Sequence, residues 1–280
     1  MTSLSEQVTT QEIFRSIKVE GSDTDSYLHS QLTCNVLEDF RYRKGLLLEP
    51  DGKLIDIVHL YRFEGGIEVV ASARSIEEIE SRLRRFLLRT KATIGEISQL
   101  NLYLNRDNEM ILVPSSDDDS PLDEDELMAL RLLNGDAARG YDYQEALFPN
   151  SLIDIDRYVS FTKGCYVGQE YVERTHSRGA TAPKSLGIFG SKTPVSGAIV
   201  QGEVEVGLVL SGFDSEVTSI RSELKGALLE KFAAHRYLFF GLYSRRMNAK
   251  ADQVEVTEGD RATLHSFASD GTATEVSRLN

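Results

Sequence analysis

The stretch whose residue types are best suited to chemistry is the block Lys163 to Glu170, which has the sequence KGCYVGQE. Two glycines flank Cys165, which is one of only two cysteines in the 280-residue chain. A thiol reacts or binds metal as the thiolate, which a nearby cation or helix N-terminus stabilises. Lys163 precedes the thiol by two residues and a helix is predicted from about Val167, so Cys165 is predicted to be functional. The alternative is a small buried residue in a tight turn.

The neighbours of the cysteine carry groups that suit a flat or anionic ligand. Lys163 can support the thiolate or contact an anion, and its alternative is a solvated lysine in a turn. Tyr166 can stack on a flat ring, and a core position is its alternative. Gln169 and Glu170 offer an amide and a carboxylate for hydrogen bonds. An acid at the start of a helix also stabilises the helix without any ligand.

Two arginines follow the block, about one and two helical turns after its last residue. Arg174 and Arg178 can hold a carboxylate or a phosphate through paired hydrogen bonds, or form salt bridges within this acidic protein. The other cysteine, Cys34, falls at a predicted helix end, where a buried structural role is expected. The five histidines are scattered without ligand spacing, so a zinc site built by the protein is not predicted.

The composition excludes several classes of protein. The net charge of −13 argues against a surface that grips nucleic acid or an anionic membrane, since both require a positive footprint. Two cysteines do not make a disulfide framework, and no secretory signal or membrane-spanning run is recognisable. The chain is therefore expected to be cytoplasmic, with reduced thiols.

The elements before the block alternate between strand and helix, which predicts an α+β fold. Ile13 to Glu20 alternates apolar and polar residues and predicts a strand. Glu49 to Lys53 predicts a hairpin turn between two strands, because Pro and Gly occupy its centre. Ser75 to Leu88 predicts an amphipathic helix, with acids early and arginines late. A strand is predicted from Lys91 to Ile97.

The second half of the chain divides into a loop, a helix and a set of short strands. Residues 115–125 are rich in Asp and Ser and are predicted to be a solvated acidic loop. A helix is predicted from Glu126 to Leu133. After Gly179, short apolar segments separated by turns, including Ala227 to Glu230, predict strands. We therefore predict an α+β body at 1–183, made of two lobes, and a small β-barrel or sandwich at 184–280.

The block and several stretches before it resemble the YgfZ family, whose members bind folate and are related to the T-protein (aminomethyltransferase) of the glycine cleavage system. The resemblance spans Ile13 to about Leu186. The matching positions are Lys163 to Glu170, Val172, Arg174 and Arg178-Gly179, with Gln31-Leu32-Thr33, Asp51-Gly52-Lys53 and Phe148-Pro149 upstream.

This resemblance implies a fold, a ligand and a role. It implies α+β lobes around a central cavity, a C-terminal β-barrel, and tetrahydrofolate or a related folate in the cavity. Asp56, Tyr166, Gln169, Glu170, Arg174 and Arg178 are the residues expected to contact it. The implied role is assembly or repair of iron–sulfur clusters, with iron–sulfur enzymes, tRNA-modifying ones among them, or assembly proteins as partners. No direct binding of nucleic acid or membrane is expected.

Two departures from the family pattern bear on the ligand. Leu133 fills the position at which T-proteins hold the pterin with a glutamate, and Asp56 stands where they carry a pair of aspartates. Both departures count against the alternative of a tetrahydrofolate-dependent aminomethyltransferase. A further alternative is a non-catalytic folate-binding module in which the block is only a structural turn.

Overall fold

The structure, a computed structural model, describes most of the chain. It gives side chains at 14–100, 122–180, 182–201, 203–232 and 235–247. It gives backbone alone at 103–104, 112–113, 255–258, 262–267 and 273–275. Of the predicted acidic loop, positions 115–121 lie outside the described residues.

Besides two short 3-10 helices at Pro149–Ser151 and Ile155–Arg157, five α-helices are described. They are α1 (Thr24–Gln31), α2 (Ile76–Phe86), α3 (Glu124–Asn134), α4 (Gln169–Ser177) and α5 (Ser222–Phe232). The predicted amphipathic helix is confirmed as α2, where Ile76, Ile79 and Leu83 are buried at the expected spacing. Helix α3 begins two residues before its predicted start, because Asp123 and Glu126 form a reciprocal capping box.

The first sheet is antiparallel and follows the order β2-β3-β4-β1-β5, with β6 also paired to β1. Its strands are β1 (Phe14–Glu20), β2 (Tyr42–Leu48), β3 (Leu54–Phe63), β4 (Gly66–Ser72), β5 (Thr93–Ile94) and β6 (Ser98–Gln99). The predicted hairpin turn is confirmed by hydrogen bonds between Glu49 and Lys53 and between Gly52 and Glu49, each 2.9 Å. Of the strand predicted at 91–97, only Thr93–Ile94 forms a strand, and β6 begins beyond its predicted end.

Both faces of the first sheet are covered, which explains why its central strand β3 is apolar over most of its length. Helices α1 and α2 pack on one face, where they form a cluster with residues such as Ile17, Leu28 and Leu83. Helix α3 contributes Leu127 and Leu130 to a second cluster with the other face. A small cavity remains on this second side.

The second sheet contains seven strands in the order β13-β10-β11-β12-β9-β14-β15. They are β9 (Lys184–Ser191), β10 (Ser196–Gln201), β11 (Val204–Asp214), β12 (Tyr237–Ser244), β13 (Glu255–Glu258), β14 (Ala262–Phe267) and β15 (Ala273–Glu275). A separate two-stranded sheet pairs β7 (Tyr103–Leu104) with β8 (Leu112–Val113). The strand order is open among the described strands, so closure into a barrel stays a prediction.

The strand predicted from Ala227 to Glu230 is wrong, because these residues lie inside α5. This helix lies between β11 and β12 in the chain and packs against α3. Two polar contacts reinforce the packing: Arg221 pairs with Glu126 at 3.2 Å, and Lys231 donates to the Leu133 carbonyl at 2.8 Å. Helix α3 is therefore held between the first sheet and α5.

One hydrophobic cluster crosses the predicted boundary between residues 183 and 184. It joins Phe14 and Leu46 of the first sheet to Leu186 and Phe240 of the second. The division into domains stays a prediction, but the two parts share this cluster. None of the described helices combines the length and apolar character that crossing a bilayer requires. The described residues contain no group of three metal-ligating side chains.

Candidate functional site

The block Lys163 to Glu170 lies against the C-terminal end of α1. The Lys163 ammonium donates hydrogen bonds to the backbone carbonyls of His29 and Leu32, and Val167 N–H donates to the Ser30 carbonyl at 3.2 Å. Carbonyls at a helix end have no partner within the helix, so a lysine that reaches them acts as a cap. The block is thus attached to α1 on both sides of the cysteine.

The residues just after α1 hold the segment that leads into the block. Ser160 N–H donates to the Thr33 carbonyl at 3.0 Å, and the Thr33 hydroxyl donates to the Tyr158 carbonyl at 2.7 Å. The same hydroxyl accepts from Leu46 N–H at 2.8 Å, which joins both segments to β2. This arrangement gives a structural reason why Gln31-Leu32-Thr33 accompanies the block in the sequence.

Gly168 closes the block in a conformation that only glycine adopts without strain, with φ of +86° immediately before α4. A Cβ atom built there would lie 2.8 Å from the Glu49 carbonyl oxygen and 2.9 Å from Leu48 Cβ. The glycine therefore serves two requirements, the left-handed turn and the close approach to the β2–β3 hairpin.

Replacing Gly168 with alanine is expected to destabilise the protein by roughly 2–4 kcal/mol, from left-handed strain and overpacking together. Urea unfolding measures the change. Gly65→Ala is the matched control, because its φ is +94° and a Cβ there meets no atom within 4 Å. The control should lose only about 1–2 kcal/mol from strain. Equal losses in the two variants would show that the contact with the hairpin contributes nothing.

The two thiols have opposite environments. Cys165 is exposed, whereas Cys34 is buried, and burial raises the pKa of Cys34 to about 11. A thiol with such a pKa is inert at neutral pH, as expected for Cys34 from its position. Burial also lowers the pKa of Lys163 to about 8. Because its ammonium is bound to two carbonyls, Lys163 positions the block as a helix cap.

The other block residues divide between the interior and the surface. Tyr166 is buried, with the Lys163 ammonium 4.8 Å from its ring centroid. The side-chain carbonyl of Gln169 accepts from Tyr166 N–H at 2.9 Å, so it caps the turn before α4. Glu170 is exposed in the first turn of that helix. Ligand contact by these three residues stays a prediction.

Arg174 and Arg178 lie exposed at the far end of α4. The Arg174 guanidinium lies 5.8 Å from the Tyr171 ring centroid. Within the described ranges, neither arginine forms an ion pair at 4 Å or less, so the alternative of internal salt bridges has no support in the structure. Both guanidinium groups are available to an external partner, and their contact with a ligand stays a prediction.

Asp56 is placed away from the surface, near the start of β3. Its carboxyl group accepts from Ile57 N–H at 2.9 Å and forms a hydrogen bond with the Ser75 hydroxyl. Burial raises the pKa of Asp56 to about 7, although these hydrogen bonds and Arg139 oppose the increase. The acid is therefore largely neutral below pH 7, a state in which it can donate a hydrogen bond.

Asp56 lines a cavity of about 20 Å³ between the first sheet and α3. The full lining is Phe14, Tyr42, Asp56, Ile57, His59, Ser72, Leu127, Leu130, Arg131, Asn134, Asp136, Ala137 and Ala138. No other predicted site residue belongs to it, so the described cavity and the cysteine block are separate. The polar lining residues other than Asp56 were not predicted from the sequence. The signal that could reveal them is a polar residue inside an apolar run, such as His59 in β3.

Two polar pairs stand beside this cavity. Lys44 and Asp136 form a buried ion pair, and the Tyr158 hydroxyl also donates to Asp136. Burial alone would raise the pKa of Asp136, but the cations Lys44 and Arg157 hold it below its ordinary value. Tyr42 Oη and His59 Nδ1 lie 2.9 Å apart. Burial, with the charge of Lys44, lowers the pKa of His59 to about 4, so the ring is neutral.

Arg131 is the remaining charged group of the lining and is 8% exposed. Its Nε and Nη2 atoms donate to the two carboxylate oxygens of Asp142 at 3.0 and 3.2 Å. Asp142 is also bound by Ala138 N–H at 2.6 Å and by the Ser211 hydroxyl of β11. The third nitrogen, Arg131 Nη1, is buried and has no hydrogen-bond partner among the described residues.

The described cavity does not fit a folate. Ordinary ligand pockets measure roughly 300–1,000 Å³, whereas a site for one water needs about 10–15 Å³. At about 20 Å³ the cavity exceeds the space for one water molecule and accommodates a group of a few heavy atoms, but no bicyclic ring. Leu133 is buried and is not part of the lining, so the position of the pterin-holding glutamate does not face this cavity.

Comparison with known proteins finds relatives both in sequence and in structure. No family model matches the sequence. The chain is 25% identical over 214 residues to the tRNA-modifying protein YgfZ of Hamiltonella defensa subsp. Acyrthosiphon pisum (strain 5AT). The match covers 58% of this chain and 64% of that protein, which is less than two thirds of the relative's length.

The fold is similar to that of the glycine cleavage system aminomethyltransferase T from Bartonella henselae, known from a crystal structure. The TM-score is 0.66 at 15% identity, over 91% of this chain and 84% of that one. At this identity the likeness concerns the fold alone. Together the two findings confirm the resemblance to YgfZ proteins and their T-protein relatives. The mixed α and β fold resembles that of the T-protein.

Proposed function

We propose that the protein supports assembly or repair of iron–sulfur clusters in the cytoplasm, with Cys165 as its functional thiol. The observation that carries the proposal is an exposed thiol on a fixed turn. Lys163 and Val167 attach the turn to α1, and Gly168 seats it on the β2–β3 hairpin. An exposed cysteine on a fixed turn can take the outer sulfur of a donor's persulfide, which leaves as the donor's thiol, or bind a metal.

The surroundings of the thiol favour a protein partner. Arg174, in the helix that follows the turn, and Arg178, just after it, present guanidinium groups that form no ion pair with the described residues. Their fork geometry suits carboxylates on an incoming protein surface. The relative in sequence is a tRNA-modifying protein by name, which supports tRNA-modifying iron–sulfur enzymes as the clients of this chain.

Cys165→Ser tests the role of the thiol. The variant should fold like the wild type, because the side chain is exposed, yet fail to restore an iron–sulfur enzyme in cells that lack the protein. Cys34→Ala is the matched control, since it removes the buried thiol and should retain activity. Thermal unfolding of both variants separates loss of function from loss of structure. Full enzyme activity with Cys165→Ser would refute the proposal.

Folate binding is a separate part of the proposal and rests on the YgfZ and T-protein resemblance. Because the described cavity is too small for the ring system, we assign no chemical step to a folate. Titration of the purified protein with tetrahydrofolate, followed by calorimetry, tests this part alone. No heat of binding at millimolar ligand would remove folate from the function and leave the thiol role intact.

A further inference from the structure

We infer that the cavity between the first sheet and α3 binds a small hydrogen-bond acceptor through Arg131. The acceptor is a monovalent carboxylate of about the size of formate, or a terminal carbonyl or carboxylate oxygen of a larger ligand. This inference does not depend on the proposed function.

The first argument is the unused donor. Arg131 is 8% exposed, and its Nη1 atom is buried without a partner among the described residues. An unsatisfied donor on a buried charged group costs more than on a neutral one, so such atoms in folded proteins almost always meet an acceptor from the protein, from water or from a bound ligand. Arg131 lines a cavity of about 20 Å³, which is room for one acceptor group.

The second argument is that the other polar groups of the lining add donors. Tyr42 makes no other hydrogen bond with the described residues, so we assign its hydroxyl proton to the bond with His59 Nδ1. The neutral ring of His59 then carries its own proton on Nε2 and offers it as a donor. Asp136 is the ionised acid of the lining, and it already accepts from Lys44 and Tyr158.

The third argument concerns Asp56 and the missing glutamate. Asp56 accepts from Ile57 N–H, and burial keeps it largely neutral below pH 7, so it does not repel an anion there. Leu133 supplies no carboxylate. A ligand that presents donors, such as an amidine edge, therefore finds no free acceptor among these groups, whereas a carbonyl or carboxylate oxygen finds a guanidinium donor.

Sodium formate is the probe, and sodium pivalate is the matched control, because it has the same charge and is too bulky for the cavity. At equal ionic strength, formate should raise the melting temperature in a saturable way, and pivalate should not. Ala137→Val adds two carbons to the lining and should weaken the formate effect at least about tenfold. Ala92→Val, in the cluster on the other face of the sheet, should leave it unchanged.

Several results would overturn the inference: no saturable effect of formate, an equal effect of pivalate, or full formate binding by Ala137→Val. If Ala137→Val does not fold, Arg131→Lys replaces it, since lysine keeps the charge and loses the fork. If neither variant folds, the contrast between formate and pivalate in the wild type decides. A second experiment adds tetrahydrofolate to the protein in the presence of formate. If tetrahydrofolate displaces formate, the acceptor belongs to the larger ligand. If it does not, the cavity binds a free carboxylate.

Discussion

Replacement of Asp136 by asparagine is expected to destabilise the fold by about 3–5 kcal/mol. The reason is the buried ion pair with Lys44, in which both side chains are 8% exposed. Asparagine has nearly the same shape but leaves the ammonium of Lys44 buried without its counter-charge. Chemical unfolding at neutral pH, monitored by circular dichroism, measures the loss.

The double variant Lys44→Met with Asp136→Asn is the control for this prediction. Without the ammonium, the asparagine oxygen can still accept from the Tyr158 hydroxyl, and no charge is buried. The double variant should therefore recover most of the lost stability, since replacing a buried pair by apolar groups is often close to neutral. A loss of less than about 1 kcal/mol in Asp136→Asn would show that solvent reaches Lys44.

Asp56→Asn is expected to gain stability relative to the wild type as the pH rises. The pKa of Asp56 is about 7 in the folded protein and about 4 in an unfolded chain. Between these values the folded state binds more protons than the unfolded state, so the wild type loses stability as pH increases. Asparagine does not titrate, so its advantage over the wild type should grow by roughly 2–4 kcal/mol from pH 4 to pH 8.

The measurement is urea unfolding of both proteins across this pH range, compared at each pH. Ile55→Val, which changes a buried apolar side chain that cannot titrate, serves as the control and should show a difference from the wild type that does not change with pH. If the difference for Asp56→Asn is also constant, the carboxyl group is ionised in the folded state. The neighbouring cation Arg139 would then dominate over burial.

Local sequence patterns were sufficient to predict an element where one helix face or one turn determines its structure. The apolar spacing of Ile76, Ile79 and Leu83 predicts α2 because a 3.6-residue period has no strand equivalent over eleven residues. The run Ala227 to Glu230 is too short for that distinction, and the prediction of a strand failed. Only the longer spacing of buried residues across Ser222–Phe232 indicates a helix.

The cysteine block was predictable because its residues are contiguous, whereas the cavity was not. Tyr42, Asp56 and Arg131 come from three elements that the chain brings together only on folding. Arg82 shows the same limit: it is one of several arginines late in α2, yet it is 1% exposed and donates to the Gln31 side chain at 3.1 Å. No local pattern indicates which arginine of a basic helix end is buried.

The position of α5 has a consequence for the order of events during synthesis. Helix α3 is covered on its outer side by α5, which the ribosome adds about 100 residues later. At a translation rate of 5–20 residues per second, the apolar residues of α3 stay uncovered for roughly 5–20 s until α5 has been synthesised. During that interval the nascent chain presents them to the cell, and a chaperone that binds them would protect the cavity before its outer wall is complete.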